Sequence, residues 1–281
     1  MSRYDLENEP DERSGRTVPS RKDSRELTKS KRSKHAVDRE RTYELRDSEI
    51  KTLTDIGSFR ALNLNDVVTH RYGGNMDEAR RDLDNLERQG LLLRRTIYPD
   101  NVTYVTLTKS AHTLIEAKQS GKAGGAQQVF YHGFVKDREA RHDVAIYRLY
   151  QQEAARIERA GGKVERVILD FELKRSVNRK LARLQSLPPA EQAKRKQEIA
   201  DEHHLPVVNG RISLPDLRLE YEGPDQERGR VDLELVTGDY HHKGLARKTQ
   251  AGFQMYGLPE DEARLRPALS DPEIMMDILS L

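Results

Sequence analysis

Asp216, Asp232, Glu234 and Lys248 have the residue types and spacing needed for chemistry on a phosphodiester. Asp216 follows a proline in Leu214-Pro215-Asp216-Leu217, at the start of a strand-like run, and the next such run reads Val231-Asp232-Leu233-Glu234-Leu235-Val236. Residues two apart on a strand share a face, so Asp232 and Glu234 point the same way. Carboxylates converging from two neighbouring strands can hold Mg²⁺ or Mn²⁺, which polarises a phosphate and activates water, while a lysine beside them stabilises charge. Glu153, further upstream, is a possible additional ligand. The competing reading is structural: Asp216 starts a strand after a proline, and Asp232 and Glu234 form the polar face of a half-exposed strand, with no cofactor at all.

The histidines carry less. Neighbours in sequence point apart, and zinc catalysis usually takes three protein ligands, so His203-His204 and His241-His242 read as surface or loop residues. His142, in Arg141-His142-Asp143, is expected to brace the core as a buried, hydrogen-bonded group. Gly238-Asp239-Tyr240 reads as a strand-to-helix turn whose helix start, with Lys243 nearby, could accept a phosphate. Cysteine is absent, which excludes thiolate zinc sites, disulfides and cysteine nucleophiles.

The elements that would carry these residues follow from periodicity. An amphipathic helix is expected over 137–160, closed by Gly161-Gly162, then a strand over 164–171. Residues 174–204 are basic and helical around Pro188-Pro189 and read as an insertion. Strands over 216–222 and 230–236 precede a helix from about Leu245 to Tyr256, and an apolar segment from Ile274 to Leu281 could dock on the body or on a second subunit.

Upstream, Ile50, Leu53 and Ile56 fall on one helical face that stops at Gly57. A second short helix starts near Leu62 with Asn63 or Asn65 as its cap, and Asn75 caps a third whose Met76, Ala79, Leu83 and Leu86 face a core. Strands over 91–98 and 102–107 flank a Pro99-Asp100-Asn101 turn, and Thr108 caps an exit helix. Three helices and a hairpin in this order describe a winged helix-turn-helix. Asn75, Arg80, Arg81 and Arg88 on its third helix, and Arg94, Arg95 and Tyr98 on the wing, are the candidates for contact with double-stranded DNA. Asp77 with Arg81 and Asp84 with Arg88 could equally be surface pairs on a solvated helix.

The chain has 281 residues, a net charge of +2 and 34% charged residues against 35% hydrophobic ones, which fits two small cores with charged extensions. The expected division is a disordered charged arm over 1–45, with Ser30-Lys31-Arg32-Ser33-Lys34 its most basic stretch, a winged helix-turn-helix over 46–120, a linker over 121–130, an α/β domain over 131–258 and a tail over 259–281. No apolar run approaches the ~18 residues of a membrane span, so no membrane partner and a cytoplasmic location are expected.

Pro215-Asp216 followed by Asp232-Leu233-Glu234 resembles the PD-(D/E)xK restriction-endonuclease-like superfamily, although the lysine due two residues after the acid is Val236. Lys243 or Lys248 could replace it, and Glu172-Leu173-Lys174, with the right spacing, lies before the Pro-Asp rather than after it. More specifically, the winged helix followed by Arg141-His142-Asp143-Val144-Ala145, Leu214-Pro215-Asp216, Val231-Asp232-Leu233-Glu234-Leu235 and a Lys248 to Tyr256 helix resembles the replication-relaxation family of plasmids and integrative mobile elements, over about residues 47 to 257. That resemblance implies an α+β chain that binds duplex DNA in plasmid replication, transfer or transcription regulation, with a degenerate nuclease-like domain for dimerisation or extra DNA contacts; a homodimer is expected because one winged helix alone offers few contacts and two read a paired half-site. The alternatives are a metal-dependent DNA endonuclease using Asp216, Asp232, Glu234 and Lys248, and an interaction module without DNA contacts.

Overall fold

Side-chain caps set the helix starts in the first half of the chain. The computed structural model describes residues 33–38, 41–98, 101–120, 127–237, 242–258, 261 and 279–280, and the architecture is mixed α+β. Helix α1, Asp47–Ser58, begins with the Arg46 backbone N–H donating to Glu49 Oε2 at 2.6 Å. Ile50, Leu53 and Ile56 are buried as their spacing requires. Gly57 does not stop the helix. It lies inside it, where a Cβ would sit 2.8 Å from both Ile115 Cδ1 and Leu107 Cδ1, so the absent side chain is what lets the elements approach.

Strand β3, Leu62–Asn63, leads into α2, Leu64–Tyr72, and Asn63 is the cap, accepting from Asn65 N at 2.8 Å. Gly73, at φ 57°, ends α2 in the left-handed region. Helix α3, Met76–Arg88, is capped by Asn75, whose side chain accepts from Glu78 N at 3.2 Å. Ala79, Leu83 and Leu86 are buried, but Met76, expected beside them, is 49% exposed because the first turn lies beyond the core. Strands β4, Leu92–Ile97, and β5, Val102–Leu107, pair antiparallel, and β3 adds to the far side of β5. Pro99 and Asp100 lie outside the described residues. Thr108 Oγ1 accepts from Ala111 N and opens α4, Lys109–Ser120.

The charged leader departs from expectation within 33–45. Strands β1, Ser33–Asp38, and β2, Arg41–Leu45, form an antiparallel hairpin, and Tyr43 and Leu45 are buried. Their period of two anchors a segment whose overall composition suggested disorder. Residues 1–32 lie outside the described part.

In the second half, α5, Asp137–Arg159, precedes β6, Lys163–Leu169; β9, Leu217–Glu222, and β10, Arg228–Val236, complete an antiparallel meander with β6. Helix α8, His242–Gln250, crosses to β11, Gln254–Gly257, which runs parallel to β10. A parallel neighbour needs such a crossover. The helix expected to continue to Tyr256 therefore ends at Gln250, because Gly252 at φ 75° breaks it and Met255 and Tyr256 turn inward on a strand. Within the tail, β12, Leu279–Ser280, pairs with β11, giving the sheet order β12-β11-β10-β9-β6.

Between β6 and β9 stand α6, Asp170–Leu181, a 3-10 turn over Ala182–Leu184, α7, Pro189–Glu202, and a small hairpin of β7, Val207–Val208, and β8, Arg211–Ile212. Phe171, expected on the strand, thus belongs to α6. Pro189 sits in the first turn of α7, where its missing N–H costs nothing. Leu173, Val177, Ile199 and Leu205 close this helical pair onto Ile168.

A continuous core runs from Tyr43 to Tyr256 and includes residues of both halves. Phe59 meets Tyr147 edge-on with ring centroids 5.1 Å apart, and Arg60 donates twice to Asp143, at 2.9 and 2.5 Å. Of the expected linker, 121–126 lie outside the described residues, while 127–130 are packed: Gln128 exchanges bonds of 2.8 and 2.9 Å with the Val167 backbone, and Phe130 is buried. Just beyond, Tyr131 N donates to Gly57 O at 2.7 Å. No helix among the described residues is long and apolar enough to cross a membrane.

Candidate functional site

The antiparallel register pairs Leu217 with Leu233, which sets Asp216, one residue earlier, beside Glu234, one residue later. Asp216 is stitched to β10 twice: its N–H donates to Leu233 O at 3.1 Å, and its Oδ2 accepts from Leu235 N at 3.0 Å. Glu234 is fully buried. Lys248 reaches it from α8, donating to Glu234 Oε2 at 2.7 Å and to Leu214 O at 2.5 Å, and buried Leu245 holds the helix against the body. From α5, His142 Nε2 stands 4.0 Å from Asp216 Oδ1. Burial pushes the Asp216 carboxyl above its ordinary range; His142, Lys248 and the Leu235 N–H pull it back, and Asp170 adds to the rise.

Asp232 does not join this group. Arg218, directly across the strand pair, donates to both its oxygens at 2.6 and 2.8 Å, and the same guanidinium donates to the carbonyls of His203 at 2.6 Å and His204 at 2.9 Å. The expectation that Asp216, Asp232 and Glu234 converge is not met, because the bidentate arginine takes Asp232 for itself. Among the described residues no three His, Asp or Glu side chains gather as metal ligands.

Glu153 is also engaged elsewhere: Tyr256 donates to it at 2.8 Å and Arg156 grips both its oxygens. Glu172 binds Arg166 and Tyr131 while Lys174 binds Asp170, so that acid-x-lysine pair splits. His203 is linked to Ser176 at 3.2 Å and His204 follows at φ 51°, a turn at the foot of α7. Gly238 to His241, and the side chains of His242 and Lys243, lie outside the described residues.

The candidate DNA contacts divide into engaged and open groups. Asn75 is occupied as the α3 cap. Arg81 leans on Asp82 at 3.3 Å and Glu78 at 3.6 Å. Arg94 folds back to Asp84 at 3.0 Å and Glu87 at 2.8 Å, and Arg95 donates to Asp137 at 2.6 Å over the Phe134 ring. Arg80, Arg88 and Tyr98 are exposed, Tyr98 by 76%. Helix α3 itself carries three Arg against three Asp and two Glu, a formal balance of −2.

A cleft of about 540 Å³ opens at a different place, where α1, α4 and residues 127–130 meet. It is lined by Lys51, Asp55, Arg71 and Lys118 among others. Burial pushes Asp55 up to about 6 against the pull of Arg71, 3.6 Å away, and Lys51.

Sequence reasoning missed Arg218, Asp170 and the Arg60–Asp143 pair. Arg218 alternates with the inward Leu217 and Leu219 as an outward polar residue would, so its burial had no local signal, and its partner depends on cross-strand register. The Arg60–Asp143 contact joins residues 83 apart and had no local trace. No protein-family model, curated protein or solved structure matches this chain.

Proposed function

We propose that this is a DNA-acting protein in which a winged helix-turn-helix packs on a PD-(D/E)xK-like α/β body, with Asp216, Glu234 and Lys248 forming a divalent-cation-dependent phosphodiester-cleaving site. The observation that carries the reading is Lys248 Nζ lying 2.7 Å from Glu234, with Asp216 beside that glutamate across the strand pair. An ammonium delivered by α8 takes the role that Val236 cannot. The run α5, antiparallel β6-β9-β10, α8 and parallel β11 supports the same reading, as it follows the element order of that superfamily.

Asp216 and Glu234 are hard oxygen donors of the kind Mg²⁺ and Mn²⁺ prefer, and a buried carboxylate held above its ordinary range gains from a cationic neighbour. Bound there, such an ion supplies Lewis-acid polarisation of the phosphate and a more acidic water. The chain contributes the remainder. The Leu235 N–H orients Asp216, His142 faces the same carboxylate, and Lys248 sets its positive charge against Glu234. Supercoiled plasmid incubated with protein and Mg²⁺ or Mn²⁺ is expected to be nicked or linearised, and Asp216→Asn, similar in size, to abolish this. Plasmid that stays intact while still being bound would exclude cleavage.

One observation favours a second reading, a non-cleaving regulator of a plasmid or mobile element whose α/β body serves as a dimerisation or DNA-contact scaffold. Lys248 is satisfied by Glu234 and Leu214, and Asp232 by Arg218, so these charges close on one another. Under that reading Asp216→Asn leaves DNA affinity and regulation unchanged, and sedimentation finds a homodimer at micromolar concentration.

A further inference from the structure

Helix α6 and the turn after it carry a basic run with no acidic residue within it, whereas α3 does not. Over Asp170–Glu202 eight Lys and Arg stand against six Asp and Glu, a formal balance of +2, but the basic residues are segregated: from Lys174 to Ala190 there are five and no acidic residue. The apolar side of α6, with Leu173 and Val177, is closed against α7 and Ile168. Two residues further along a helix is about 200° round its axis, so Arg175 and Arg179 stand on the outer face, Arg183 continues their line into the 3-10 turn, and all three are exposed. Successive members are four residues apart, about 6 Å in an α-helix. Lys174 spends its charge on Asp170 within α6, and Lys180 spends its own on Glu202 of α7.

The α6–α7 helical pair is fixed to the candidate site at both ends. Asp170, the first residue of α6, donates its N–H to the carbonyl of Asp216 at 3.1 Å. At the far end, the Arg218 guanidinium holds the His203 and His204 carbonyls just after α7. Both ends of the helical pair that bears the arginines are thus tied to Asp216 and the strand that follows it.

We infer that Arg175, Arg179 and Arg183 form a docking ridge for the phosphate backbone of duplex DNA, which holds the duplex beside Asp216 without reading its bases. The inference rests on the DNA-acting reading above and relocates the main grip from α3 and the wing to α6. Arginine contacts to phosphate give affinity that is independent of sequence and falls steeply with salt.

The test is fluorescence anisotropy of a labelled duplex of arbitrary sequence, titrated with the full chain over a series of NaCl concentrations. The triple variant Arg175→Gln, Arg179→Gln, Arg183→Gln is expected to bind about tenfold or more weakly, with a log–log salt slope shallower by about 3. The triple Arg→Lys variant should keep most of the affinity, and Arg80→Ala with Arg88→Ala should change it little. A thermal melt checks folding, and if the triple variant melts early, Arg179→Gln alone should still flatten the slope by about 1. Wild-type affinity in the triple variant, or a large loss in the α3 variant alone, would overturn the ridge while leaving DNA binding intact. Absence of duplex binding by the wild type would overturn both. Binding of phosphatidylserine vesicles that is lost in the triple variant, with duplex binding unaffected, would overturn it in favour of a membrane surface.

Discussion

Lys248 and Glu234 meet at 2.7 Å as a buried pair drawn from a helix and a strand, with the glutamate wholly inaccessible and the lysine nearly so. The contact fastens α8 to the sheet whatever chemistry it performs. Removing one member of such a pair strands the other charge without water. Lys248→Met is expected to lower stability by roughly 3–5 kcal/mol, and adding Glu234→Leu to recover most of that loss. Urea denaturation of the two variants checks this; equal destabilisation in both would show that the pairing is not the cause.

Arg218 should be intolerant even of lysine. Its planar fork donates twice to Asp232 and once each to the His203 and His204 carbonyls, a pattern that a single ammonium cannot reproduce. Arg218→Lys is expected to cost about 2–3 kcal/mol, on the scale of hydrogen bonds to charged groups, and to open the 203–213 segment to protease. A variant with unaltered melting and digestion patterns would remove Arg218 from this role.

Asn75 is expected to matter for folding and not for DNA. Asn75→Ala should cost about 1 kcal/mol, the usual loss of a helix cap. Anisotropy with duplex at a temperature where the variant remains folded should give wild-type affinity. Weakened binding at full stability would return Asn75 to the DNA contacts.

The Asp55 carboxyl gives a signed pH dependence. Burial raises it from 3.8 to about 6, so between those values the folded protein keeps a proton that the unfolded chain releases. Its contribution to stability is complete below about pH 4 and is lost as pH rises through about 6. Asp55→Asn removes the titration. The melting temperature of the variant relative to wild type should therefore climb between pH 4 and pH 8, and a difference that stays flat or falls counts against the shift.

Much of the first half is legible in sequence because its signals are local. Asn63, Asn75 and Thr108 sit where caps belong, and Leu53, Ile56, Leu83 and Leu86 repeat at helical spacing. Two-residue strands such as β3 have no periodicity to read, and β11 was hidden because Leu245, Phe253 and Tyr256 can be laid on a helical face as well as on a strand. Gly252, at φ 75°, is the break between α8 and β11. At the site, Lys248 could be picked out because Val236 left its role vacant, whereas the diversion of Asp232 could not, since a carboxylate's partner is chosen by register and packing across the sheet.

Tyr131 donating to the carbonyl of Gly57, and Phe59 seated against Tyr147, also bear on how this chain can be taken apart. Each half hides apolar surface that the other would otherwise have to cover with new side chains, so neither is a portable module. A graft of residues 46–120 onto another protein would carry an exposed Phe59 face with it, and a lineage that exchanged one half would have to rebuild that seam before the hybrid could stay in solution.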